Sequence, residues 1–130
     1  MADGSFLDLL DELFGPVGGV TRKRMFGGHG LFRDGLMVAL VADDTLYLKV
    51  DDGNRADFEA EGSAPFSYGT KDGARTITSY WRAPERLYDE PETFAAFAEG
   101  AFAAARRGAV KKKAGGTVRP RRARSPSAAP

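Results

Sequence analysis

Cysteine is absent from the chain, and that excludes disulfides, thiolate zinc sites and thiol nucleophiles at once. Histidine occurs once, as His29. A metal site around it needs further ligands, and an imidazole catalyst needs a nucleophile or acid to serve; neither lies nearby in sequence. No paired carboxylates, Ser/His/Asp set or H-E-x-x-H motif supports catalysis. The acids at Asp43-Asp44 and Asp51-Asp52-Gly53-Asn54 do not follow calcium-loop spacing, and turn and cap roles suit them better. Gly28-His29-Gly30 lacks the third glycine of a phosphate loop, since Arg33 stands there. The expectation is a non-enzymatic protein with no catalytic, cofactor-binding or metal-binding residues. No stretch approaches the ~20 apolar residues of a membrane span, and Met1-Ala2-Asp3-Gly4 lacks the basic flank and apolar run of a secretory signal. A cytoplasmic location without membrane attachment is expected.

What is present is charge, separated by sign. From Arg106 onward the charged residues are Arg106, Arg107, Lys111, Lys112, Lys113, Arg119, Arg121, Arg122 and Arg124, with no acid among them. Removing those nine from the 19 Lys and Arg leaves ten against all 18 acids, so a net charge of +1 hides a body near −8 and a tail near +9. The division expected is one domain over residues 1–107 and a disordered basic tail over 108–130. The tail is rich in Lys, Arg, Ala, Gly, Ser and Pro and has too little apolar surface to offset the entropy of ordering.

Within the body, Phe6, Leu9, Leu10, Leu13 and Phe14 recur at helical spacing after the capping pattern Ser5 to Asp8, and Gly15-Pro16 ends that helix. Val20 to Phe26, Gly30 to Arg33, Leu36 to Val41 and Thr45 to Val50 then read as three or four strands of an antiparallel meander. Asp34-Gly35 is a strong hairpin signal and Asp43-Asp44 a weaker one. The run Leu36 to Val41 is apolar on both faces, which predicts a central strand covered on both sides or flanked by helices. Asn54 is expected to cap a short helix carrying Phe58 inward and closing at Gly62. A second hairpin around Lys71-Asp72-Gly73 follows, and then a helix from Pro91 whose buried face includes Phe94, Phe97, Ala98, Ala101, Phe102 and Ala105. This order predicts an α+β domain with a mainly antiparallel sheet and helices mainly on one face.

Each candidate site has a functional and a structural reading. His29 among glycines reads as a turn or bulge residue ahead of a ligand. Arg22, Lys23 and Arg24 read as a solvated edge strand, with Arg22 and Arg24 on one face and Lys23 on the other, or as a small basic patch. Tyr80-Trp81 could offer a platform for bases, but no RNP-type motif accompanies it, and core packing fits better. Three readings suit the tail: a solvated appendage, non-specific nucleic-acid binding through its Lys and Arg, or docking onto an acidic partner or the body's own acidic surface.

Several strings also carry a family likeness: Arg24-Met25-Phe26-Gly27-Gly28-His29-Gly30, Asp34-Gly35-Leu36-Met37, Leu46-Tyr47-Leu48-Lys49, and Ser79-Tyr80-Trp81 with Pro84. In this order and spacing the chain resembles the TfoX/Sxy N-terminal domain family over about Ser5 to Arg107. The resemblance implies a two-layer fold of order α-β(3)-α-β(2)-α. It also implies kinship with regulators of natural competence for DNA uptake, which act on transcription alongside the cAMP receptor protein. Those regulators carry a second, helical domain where this chain has the basic tail. Arg24, Met25, Phe26, Gly27, Gly28, Gly30, Tyr80 and Trp81 enter as family-signature residues with no assigned role. The expected partners are nucleic acid through the tail and a transcription regulator or other protein through the domain. The runner-up is a protein-interaction module with a solubilising or self-docking tail.

Overall fold

The computed structural model of the chain describes residues 4–25, 28–70 and 73–116. Helix α1 (Gly4–Phe14) is followed by strands β1 (Val20–Met25), β2 (Gly28–Arg33), β3 (Leu36–Ala42) and β4 (Thr45–Lys49). Helix α2 (Arg55–Ala60), strands β5 (Pro65–Thr70) and β6 (Gly73–Arg82), a 3₁₀ turn at Glu85–Asp89 and helix α3 (Pro91–Gly116) complete the order. The six strands form one sheet, β1-β2-β3-β4-β6-β5, with every neighbouring pair antiparallel. The chain therefore has the expected α+β class, with four strands before α2 where the resemblance implied three.

The hairpins follow from their turn residues. Asp34 and Gly35 take φ of 54° and 79°, and Asp43 and Asp44 take 52° and 55°, so both turns occupy the left-handed region at both central positions. Aspartate tolerates that region better than most residues because its short side chain can bond locally, so the weaker signal also makes a turn.

The core lies between one face of the sheet and the helices. Leu46 and Leu48 of β4, paired with Val41 and Ala39 of β3, point inward together with Leu31 and Trp81. Leu10 and Phe14 from α1, Phe58 from α2, and Phe94, Ala98 and Phe102 from α3 close over them in a single buried cluster. Phe14 meets Phe94 edge-on at 4.8 Å, and Phe58 meets Phe97 at 5.2 Å. Such aromatic pairs add about 0.5–1.5 kcal/mol each beyond the area they bury.

Three details differ from the sequence-based expectation. The Asn54 side chain does not cap α2. It turns back, accepting from the Asp51 amide at 2.8 Å and donating to the Lys49 carbonyl at 3.1 Å, so it ties the loop to the end of β4 while only 6% exposed. A buried amide must be satisfied, and the preceding loop offers it both a donor and an acceptor. Strand β3 is central, as expected, but only one of its faces meets helices. A register shift opposite Leu31/Phe32 lets both Val38 and Ala39 join the core, while Met37 and Leu40 remain half-buried on the other side. Finally, α3 does not stop at Arg107. Its backbone continues to Gly116, because Ala and Lys favour helix and Gly108, inside the extension, costs only about 1 kcal/mol.

Candidate functional site

The described residues of the R-M-F-G-G-x-G string lie on β1 and β2, and Gly28 and Gly30 among them are there for packing. Gly28 lies where a Cβ would stand 2.1 Å from the Val41 carbonyl oxygen, closer than any atom pair tolerates, so only glycine lets β2 approach β3 here. A Cβ on Gly30 would likewise meet the Phe32 ring at 2.9 Å and the Met25 sulfur at 3.1 Å. Phe26 and Gly27 of the same string lie outside the described residues. His29 is a strand residue rather than a turn residue, paired with Arg24 on β1 and Val41 on β3.

Arg22 and Arg24 share a face of β1, as alternation predicts. Beneath α1 they border a cleft of about 650 Å³ with His29 and the apolar Leu10, Phe14 and Leu31. β1 is an edge strand, exposed along its middle. Arg22 reaches Asp11 of α1 at 3.5 Å, and the Nδ1 of His29 is buried without a hydrogen-bond partner. Among the described residues, no group of three His, Cys, Asp or Glu is arranged to hold a metal.

Tyr80 and Trp81 separate onto opposite faces. Trp81 is 8% exposed in the core, donates its indole N–H to the Thr78 carbonyl at 2.9 Å and lies 6.4 Å from the Phe58 ring. Tyr80 faces the other way and donates its hydroxyl to the Met37 carbonyl at 3.2 Å. Burial raises the Tyr80 phenol above its ordinary pKa.

The tail candidates divide in the same manner. Arg107 is committed: its Nε and Nη2 donate to the two Asp51 carboxylate oxygens at 2.7 and 2.6 Å, locking α3 onto the loop after β4. That hydrogen bonding raises the already high pKa of the guanidinium. Arg107 therefore leaves the set of cations free to meet phosphates. Arg106 is exposed. The side chains of Lys111, Lys112 and Lys113, and the whole of Arg119, Arg121, Arg122 and Arg124, lie outside the described residues.

Another pattern, missed by summing charge along the chain, emerges once the strands are placed. None of the six strands contains an acid; their charged residues are Arg22, Lys23, Arg24, Arg33, Lys49, Arg75 and Arg82. All 18 acids stand in helices, turns and loops or outside the described residues. The domain is acidic in sum while its sheet is purely cationic. The signal was present in the sequence, but seeing it requires counting charge by element rather than by segment.

Among known proteins, the family model described as TfoX N-terminal domain matches residues 12–105. No curated protein matches the chain. Among the described residues, no helix is long and apolar enough to cross a membrane.

Proposed function

We propose a regulatory role from one premise: the chain belongs to the TfoX N-terminal domain family. It acts as a non-enzymatic regulatory or accessory protein in transcription or competence. The α+β domain makes protein contacts, and the basic segment beyond Arg106 holds nucleic acid without sequence preference. The observation that carries this is the one-signed run from Arg106 to Arg124, which has no acid to neutralise it within the segment. Lys and Arg that neutralise phosphates release condensed counterions, and that release favours binding at low salt irrespective of sequence.

With Arg107 held by Asp51, eight cations remain for phosphates. If five to eight of them engage, duplex DNA affinity should fall with a log-log salt slope of about −4 to −7, at about −0.9 per phosphate. The test is a duplex titration across salt, using the full chain and a full-length variant with Gln at the seven positions from Lys111 to Arg124. Equal affinity in the two proteins contradicts the proposal.

A second reading has its own support. Arg107 already docks on an acid of the body, so the cations that follow could dock on it as well. A self-docking tail predicts that the full chain ignores duplex DNA at physiological salt, and that neutralising the tail alters the stability of the domain instead.

A further inference from the structure

The helices cover one face of the sheet, and the residues of the other face belong to no buried cluster. Strand alternation and the pairing register put Lys23, Lys49, Arg75 and Arg82 on that open face, with no acid on any strand beside them. The same face carries the rings of Phe32, Tyr47, Phe66, Tyr68 and Tyr80. Phe66 bridges Tyr47, edge-on at 4.7 Å, and Tyr68, stacked at 5.8 Å, to make a continuous aromatic strip. Tyr68 is 44% exposed. Lys23 sits over the Phe32 ring at 5.8 Å and Lys49 over the Tyr80 ring at 5.1 Å.

We infer that this open sheet face is a binding platform for single-stranded nucleic acid. Phosphates supply the negative charge that the strands lack, and bases supply flat partners for the exposed Tyr68 and for the partly buried rings beside it. The two lysines now rest on ring faces. Drawn to phosphates, they would uncover those faces for stacking. Burial lowers the Lys49 pKa, with Asp51 acting weakly against it, so an anion at that ammonium would meet a partly desolvated charge.

A duplex fits poorly. Its bases are already stacked and paired, so it could meet the cations but not the rings. An acidic peptide would use the cations and leave most of the aromatic strip unexplained.

The face also connects with the basic segment. A cleft of about 530 Å³ is bordered by Met37, Lys49 and Tyr80 from the sheet and by Ala105, Gly108 and Ala109 from α3. α3 therefore passes the cationic face as it enters the one-signed run. This site goes beyond the tail reading, because its rings and charges belong to the sheet alone.

The test uses labelled oligo(dT) of about 15 nucleotides, near the upper site size of comparable single-strand platforms, and a duplex of the same length. All proteins are full-length, with the seven tail cations changed to Gln so that only the sheet contributes. Oligo(dT) should bind, and Tyr68→Ala should weaken it at least roughly 5-fold, the loss of one base–ring stack. Tyr68→Phe, which keeps the ring, should bind like the parent. Lys49→Gln should also weaken binding and flatten the salt slope by roughly 0.7, the single-strand value for one phosphate.

Unchanged oligo(dT) affinity in a folded Tyr68→Ala protein overturns the proposal. So does an absence of oligo(dT) binding in the tail-neutralised parent. Polyglutamate binding that depends on Lys49 but not on Tyr68 would assign the face to an acidic protein and overturn it too. Loss of duplex binding on tail neutralisation, with oligo(dT) binding retained, supports both sites separately. Retained duplex binding contradicts the tail reading alone.

Discussion

The two faces of the sheet are built from the same strands and solve opposite problems. On the helix side Leu46, Leu48, Val41 and Ala39 are at most 2% exposed and meet Phe94 and Phe102 in a dry core. On the other side Met37, Leu40, Phe32 and Tyr47 are comparable in apolar surface but only partly buried, and the strands around β3 add Lys23, Lys49, Arg75 and Arg82 to that face. A face kept for stability alone could be made polar at little cost, since antiparallel sheets commonly leave one side to water. Rings and cations without acids are a costlier surface than solubility requires, and binding gives a reason to keep them.

Mutations can break or sharpen that contrast. Phe102→Ala empties a site at the centre of the core and should destabilise by about 3–5 kcal/mol in urea unfolding. Phe32→Ala removes a ring that is only partly buried and should cost clearly less, about 1–2 kcal/mol. Similar losses for the two would show that the open face is a second core, and the contrast would fail. Gly28→Ala should fall between them, at about 1–3 kcal/mol, because the new methyl must push β2 away from the Val41 carbonyl. The same change should broaden or shift amide resonances of β2 and β3 while leaving α3 untouched.

Local chemistry was legible in the sequence where neighbours along the chain settle it. Asp34-Gly35, Asp43-Asp44, the Phe6 to Phe14 stripe and Phe58 with Gly62 each contain their own explanation, and each became the turn, helix or helix end expected. Contacts between distant residues were not legible. The Gly28 constraint comes from Val41, so a glycine that opens β2 looked like a break before it. The Asn54 amide found Lys49 and Asp51 rather than the helix it precedes. Arg107 ends the expected domain yet was counted with the tail's cations, and it is the distant Asp51 that sets it apart from them. The cationic sheet was hidden for a related reason: hairpin turns place Asp34, Asp43 and Asp44 between strands whose only charges are basic or that carry none, so any running sum along the chain cancels the sign that the fold separates.

Two smaller effects concern the charges that join the faces. Arg107→Ala removes a bidentate but half-exposed pair with Asp51 and should cost no more than about 1 kcal/mol. The loss should shrink further in 1 M salt, where the Debye length is about 3 Å. A larger, salt-independent loss would mean that Arg107 holds α3 through packing rather than charge.

Lys49 offers the subtlest test, because burial lowers its pKa in the folded protein below the unfolded value of 10.5. The folded state then sheds its proton first. As pH rises from the folded pKa to the unfolded one, the unfolded chain holds more protons and stability must increase. Below the folded pKa both states are charged, and the folded protein carries the full cost of keeping an ammonium partly out of water. Lys49→Met should therefore stabilise the domain slightly at neutral pH and remove this contribution to the alkaline rise, visible as a flatter urea midpoint as pH approaches 10.5 from below. Saturating oligo(dT) should oppose that gain in the parent, because a phosphate at Lys49 stabilises the charged form. A midpoint that rises equally in parent and variant would place the titrating group elsewhere and leave the open face without its desolvated cation.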